Sequence, residues 1–214
     1  MSSAARSGRE LSRLLEHPAI WRGRSAARTR TLPTGFPALD ESLPGGGWPH
    51  AGLIEILPTC FGAGELSLLL PALAAVTRRP EARWCAWVAP PLRPFAPALA
   101  QSGVVLERVL VVNTPKKVVK GKSALWAFEQ TLRSGACDIA LGWLRSALPR
   151  QIRRLHLAAE RGDTLGVLFR PREAARDSSP AALRVAVEPV ATGARVTLLK
   201  SRGGARGTIE LPLR

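Results

Sequence analysis

Residues 53–67 of the chain read LIEILPTCFGAGELS, and this stretch decides the fold class. The apolar run Leu53 to Leu57 predicts a short strand, and the two glycines after it predict a loop. The mainly apolar residues from Glu65 to about Thr77 predict a helix. That order of strand, glycine loop and helix is the opening unit of an α/β fold.

The same alternation continues along the chain. Further strands are predicted at residues 84–88, 109–112, 138–141 and 165–169, and helices at residues 94–101, 123–133 and 150–160. Three consecutive strands joined by glycine turns follow at residues 183–188, 195–200 and 208–211. Parallel strands need long connections, which helices supply here. We therefore predict a mainly parallel central sheet flanked by helices, with a C-terminal antiparallel β-meander.

Bulk composition favours one domain with an acidic partner. The chain has 214 residues, 46% of them hydrophobic, which is enough for one sizeable core. Its formal net charge of +15 and pI near 11.5 favour contact with nucleic acid. Only five of the 31 basic residues are lysines, so an arginine-rich codon usage is an equal explanation of the charge.

Neither a metal site nor a membrane span is expected. Cys60, Cys85 and Cys137 form no CxxC pair, and the three histidines are scattered, so we assign no zinc site and no disulfide framework. The longest apolar run, residues 66–76, is too short to cross a bilayer and contains Pro71. The sequence predicts a cytoplasmic protein without membrane contact.

The N-terminal 32 residues read as a helix and a basic linker ahead of a core at residues 33–214. A helix is predicted within residues 8–23, and arginines without apolar periodicity occupy residues 22–30. The apolar residues of this segment are Leu11, Leu14, Leu15 and Trp21. They either dock on a partner or pack on the protein's own core, and we weigh the two alternatives equally.

The glycine loop departs from the phosphate-binding P-loop at three defining positions. That pattern needs Gly, four residues, Gly, Lys and then Ser or Thr. When Gly64 is aligned with the second glycine, Thr59 replaces the first glycine, Glu65 replaces the lysine and Leu66 replaces the hydroxyl residue. Glu65 places a carboxylate where a triphosphate needs a cation.

We therefore predict a degenerate nucleotide loop, with no cofactor and no enzymatic activity. The residues of this loop are Gly62, Gly64, Glu65 and Ser67. The glycines would serve a tight strand-to-helix turn, and Glu65 would complement the dipole at the start of the helix.

An ordered succession of motifs resembles the ImuA family, the RecA-like proteins associated with translesion DNA synthesis. The motifs are PTGFPALD at residues 33–40, LPGGGWP at 43–49, EIL at 55–57, ALWAFEQ at 124–130, FRP at 169–171 and LKSRGG at 199–204. They extend over nearly the whole chain, and their order is more specific than any one of them.

The resemblance implies a RecA-like core and a non-catalytic accessory role in the DNA-damage (SOS) response. The implied partners are an ImuB-type polymerase-like protein, an error-prone DNA polymerase and RecA. The basic residues add single-stranded DNA as a predicted partner. Gly142 stands where RecA-like proteins hold a metal with an Asp, so the second nucleotide motif is lost as well.

Relative to RecA, the first DNA-binding loop is reduced to residues 143–149, and the second corresponds to residues 170–180. The residues predicted to contact DNA or RecA are Arg170, Arg172, Arg176, Lys200, Arg202 and Arg206. A solvated basic loop is the alternative. Two other functions stay open, a DNA-dependent ATPase of RecA type and a cell division inhibitor related to SulA, whose ancestry is shared with RecA.

Overall fold

A computed structural model describes residues 30–62, 64–114, 122–201 and 206–212. The predicted N-terminal helix and most of the basic linker lie outside these residues, so the domain boundary at residue 33 stays a prediction. The same holds for Leu11, Leu14, Leu15, Trp21 and Arg202.

Ten strands and five α-helices make up the described chain. The strands are β1 (Thr31–Leu32), β2 (Trp48–Pro49), β3 (Gly52–Pro58), β4 (Trp84–Val88), β5 (Val109–Val112), β6 (Cys137–Trp143), β7 (Leu165–Phe169), β8 (Leu183–Val190), β9 (Gly193–Ser201) and β10 (Gly207–Leu211). The helices are α1 (Pro37–Ser42), α2 (Leu70–Thr77), α3 (Ala96–Gln101), α4 (Lys122–Arg133) and α5 (Pro149–Arg161). None of the described helices is long and apolar enough to cross a membrane.

Eight of the strands form one mixed sheet in the order β10-β9-β8-β3-β7-β6-β4-β5. The six strands from β8 to β5 in this order pair in parallel, whereas β8, β9 and β10 pair antiparallel. Strands β1 and β2 form a separate two-stranded sheet. The opening strand of the pattern, β3, lies inside the sheet and is buried along its whole length.

The predicted fold class, a RecA-like core with a C-terminal antiparallel β-meander, is wrong. Strand β8 is hydrogen-bonded in parallel to β3 over five residue pairs, so the C-terminal strands belong to the same mixed sheet as β3. Helical cover is sparse, because α1, α2 and α3 have only six to eight residues. The molecule is a mixed sheet with few helices, in which β8 belongs to both the parallel and the antiparallel strands.

The helix after the glycine loop begins later than the sequence predicts. Helix α2 starts at Leu70 and not at Glu65, with Pro71 in its first turn. Proline suits that position because its missing N–H has no helical partner there. The preceding residues form turns, starting from Gly64, whose φ of +93° favours glycine.

The core lies on both faces of the sheet. On one face α2 and α3 pack with the sheet around Leu73, Leu99 and Trp87. On the other face α4 and α5 pack around Phe128 and Leu155. Helices α4 and α5 therefore share one outer surface.

Gly142 has a packing role. It lies in β6, and a Cβ added to it would sit 2.8 Å from three atoms of the Phe128 ring. Phe128 is fully buried in the cluster beneath α4. Gly142, at the position where RecA-like proteins have an Asp, is therefore required here because a larger side chain would collide with the Phe128 ring.

We predict that Gly142→Ala lowers the free energy of unfolding by about 1–3 kcal/mol, because the added methyl group overpacks the core. Urea denaturation followed by circular dichroism measures the change. Gly207→Ala is the matched control, since a Cβ there meets no atom within 4 Å, and it should leave stability nearly unchanged. Equal stability of Gly142→Ala and the wild type would contradict the packing role.

Candidate functional site

The loop after β3 is closed by one of its own carboxylates. The backbone N–H of Gly62 donates to both oxygens of the Glu65 side chain, at 2.9 and 3.0 Å. Glu65 is only 3% exposed. In phosphate-binding loops, backbone N–H groups of this kind face the anionic ligand. Here the chain supplies the anion itself.

The predicted role of Glu65 at the start of the helix is wrong, because α2 begins five residues later. Its carboxylate turns back to Gly62. The two other predicted loop residues meet in a turn, in which the N–H of Ser67 donates to the carbonyl oxygen of Gly64 at 3.0 Å. The four residues predicted as a degenerate nucleotide loop are thus held together by local hydrogen bonds.

A second carboxylate, that of Glu55, lies at the centre of the sheet. Glu55 is fully buried in β3. Arg170, directly after β7, donates from Nη1 to one Glu55 oxygen at 3.1 Å, and Arg184 of β8 donates from Nε to the other at 2.5 Å. Both arginines are buried as well. An isolated charge would be costly at such a site, so the three side chains depend on one another.

The two arginines also hold the short 3₁₀ turn Arg172–Arg176 that connects β7 to β8. Arg184 donates to the carbonyl oxygens of Ala174 and Asp177, at 2.7 and 2.9 Å. Arg170 donates to the Asp177 carboxylate at 2.9 Å. This network fixes the connection against the end of the sheet.

Arg170, one of the residues predicted to contact DNA or RecA, therefore does not lie in a solvent-exposed loop. It is 3% exposed, and its guanidinium is held between two carboxylates. Its Nη1 and Nη2 already donate to Glu55 and Asp177. Its prediction as a DNA or RecA contact is corrected on this ground.

The other predicted contact residues are scattered. Arg172 lies 3.6 Å from Glu188, and Arg176 is exposed. The ammonium group of Lys200 donates to the carbonyl oxygen of Ser179 at 2.7 Å, which joins β9 to the loop at residues 177–182. Arg206 is exposed just before β10. Contact of these residues with DNA or RecA stays a prediction.

The buried thiols offer no nucleophile. Burial raises the pKa of Cys85 to about 12 and that of Cys137 to about 11, so both remain protonated near neutral pH. Within the described ranges no group of three His, Cys, Asp or Glu side chains is placed to hold a metal ion.

The Glu55 cluster is not among the residues predicted from the sequence. The available signal was a single charged residue inside each of two apolar strands, Glu55 in LIEIL and Arg184 in LRVAV. A charge in a strand that is buried on both faces needs a partner of opposite charge. That rule could have linked the two residues, although they are 129 positions apart.

The described geometry defines an α/β protein with a mixed sheet. Its loop after β3 has the position of a phosphate-binding loop, and the Glu65 carboxylate occupies it. A family model for the cell division inhibitor SulA matches residues 63–166. SulA of Edwardsiella piscicida is 32% identical over 127 residues, which cover 58% of this chain and 71% of that protein. The chain belongs to the SulA family of cell division inhibitors.

Two further matches are also SulA proteins. SulA of Photorhabdus laumondii is 32% identical over 117 residues, but the chain spans only 63% of that protein's length. The crystal structure of SulA from Pseudomonas aeruginosa is 24% identical, with a TM-score of 0.45, and the match covers 55% of this chain and 97% of that one.

The family model and the Edwardsiella relative confirm the SulA-related part of the predicted relationship. The resemblance to ImuA stays a prediction.

We predict that Glu55→Gln lowers the free energy of unfolding by about 3–5 kcal/mol, because it leaves two buried arginines without their shared counter-ion. Chemical denaturation measures the loss. Glu188→Gln is the matched control, since its pairs with Arg172 and Arg195 lie at the surface at 3.6 and 4.0 Å. The central role of Glu55 would be refuted by a loss no larger than that of the control.

We predict that Glu65→Ala costs about 1–2 kcal/mol of stability, because the Gly62 N–H loses a charged acceptor. Glu65→Gln should cost less, since its amide oxygen can still accept that hydrogen bond. Urea denaturation of both variants tests the order, and the exposed Glu81→Ala serves as the control. A wild-type unfolding midpoint for Glu65→Ala would show that the closed loop adds no stability.

Proposed function

We propose that this protein is a non-enzymatic cell division inhibitor of the SOS response. Membership of the SulA family supports this proposal. We further propose that it acts in the cytoplasm by binding the division protein FtsZ. Inhibition would then depend on contact between two protein surfaces and not on a chemical reaction.

The hydrogen bond between the Gly62 N–H and the Glu65 carboxylate is the observation that supports a non-enzymatic role. A nucleotide phosphate at this loop would meet a buried carboxylate that already holds the Gly62 N–H. Like charges at contact distance in a partly buried site repel by several kcal/mol. The loop also lacks the lysine and the hydroxyl residue that hold phosphate and magnesium. These features support an inhibitor that works without ATP.

The experiment is controlled expression of the full chain in bacteria that lack RecA and their own SulA. We expect the cells to stop dividing and grow into filaments, and cell length under the microscope is the measurement. Gly142→Asp, which forces a carboxylate against the Phe128 ring, is the control for the burden of expression and should leave cell length normal.

An assay with the purified chain and purified FtsZ tests whether the inhibition is direct. We expect the wild-type chain to reduce FtsZ assembly in a sedimentation assay, equally with and without ATP. Normal division together with intact FtsZ assembly would refute the proposal. If cells divide normally but damage-induced mutagenesis needs the protein, the translesion accessory role with ImuB, an error-prone polymerase and RecA becomes the better account. DNA-stimulated ATP hydrolysis would favour the RecA-type motor.

A further inference from the structure

The outer surface of α4 and α5 is a basic and apolar face that the proposed function leaves unused. These helices pack side by side on one face of the sheet, and their buried residues point inward. Each helix follows a strand of the parallel part of the sheet, so the two run in the same direction. A contact between Arg154 and Glu129 joins them on the outside.

Aromatic and basic side chains are neighbours on this face. Trp126 lies about one helical turn before Glu129 on α4, and Arg150 lies one turn before Arg154 on α5. The contact of Glu129 with Arg154 therefore places Trp126 and Arg150 at the same level of the helix pair. Arg153 is exposed next to them.

The charge of the face is strongly positive. Helices α4 and α5 carry six basic residues and two acidic ones. Both acidic residues are occupied, Glu129 by Arg154 and Glu160 by His156. Among the described residues, no ion pair involves Arg133, Arg150, Arg153 or Arg161, and all four are exposed.

The face also presents apolar surface. Trp126 is 65% exposed, and Leu148 and Leu157 are 51% and 43% exposed. Tryptophan and arginine are the residues that contribute most to binding energy at protein interfaces. Large apolar side chains among unpaired arginines on one helical face match the composition of such an interface.

We propose that this face, defined by Trp126, Leu148, Arg150, Arg153 and Leu157, binds an acidic and apolar surface of a partner protein. Its unpaired arginines complement carboxylates, and Trp126 with the two leucines would pack against apolar side chains between them. The favoured occupant is an amphipathic helix whose polar residues are acidic.

A nucleic acid fits the face less well. Proteins that bind single strands use several aromatic rings on which successive bases stack, whereas the described part of these helices presents one exposed ring. The leucines would gain nothing from a sugar-phosphate backbone. The proposal does not depend on division inhibition, because a different surface could contact FtsZ.

The test uses the full chain and a fluorescent helical peptide of leucine and glutamate. Its leucines are spaced alternately three and four residues apart, which places them on one face of the helix. Fluorescence anisotropy at low and raised salt measures binding. The test variant combines Trp126→Ala, Arg150→Glu and Arg153→Glu. The matched control combines Phe95→Ala, Arg79→Glu and Arg93→Glu, the same changes among exposed residues associated with the opposite helical layer. Circular dichroism confirms that both variants fold.

We expect the wild type to bind the peptide, the test variant to bind at least about tenfold more weakly, and the control to differ by less than about twofold. Binding should weaken but persist as salt rises, because part of it is apolar. The proposal is overturned if the wild type does not bind, or if the control loses as much affinity as the test variant. It is also overturned if the test variant loses binding to an oligothymidine strand while the peptide is bound unchanged.

Discussion

The buried carboxylate of Glu55 is the interaction on which the rest of this structure depends. It joins three adjacent elements, since it lies in β3 and pairs with Arg184 of β8 and with Arg170 just after β7. Removing these charges from water costs several kcal/mol each, so the cluster is favourable only when it is complete. Completing it also fixes the connection at residues 172–177, because the same guanidinium groups bind that segment.

A second carboxylate, that of Glu65, closes the loop at the end of β3. In a nucleotide-binding loop the backbone N–H groups donate to a phosphate. Here the Gly62 N–H already donates to the Glu65 carboxylate. Glu55 stabilises the sheet and Glu65 occupies the loop that follows it. Because Glu65 occupies that loop, we expect the function to reside in the exposed surface. The basic face of α4 and α5 is one such surface, and it lies on the opposite side of the sheet from α2.

Much of the secondary structure was predictable, because periodicity and glycine turns are local signals. Strands β4, β5 and β7 have the predicted bounds, and α4 differs from its predicted start by one residue. The start of α2 was not predicted, because the effect of Pro71 was overlooked. Pairing across the sheet was beyond local signals, since Glu55 lies 115 and 129 positions from its two arginines. Arg170 was for that reason predicted to contact DNA or RecA and not to pair with Glu55. The family was identified by comparison with SulA proteins and not by any single motif.

We propose that the Glu65 carboxylate takes the place of a nucleotide phosphate at this loop and that the protein acts through its surface. The most direct measurement is a titration of the folded chain with magnesium ATP, followed through the NMR signal of the Gly62 amide. We expect this signal to stay in place throughout the titration, because Glu65 already accepts its hydrogen bond. A saturable shift of the Gly62 signal would place a phosphate at the loop and refute the proposal.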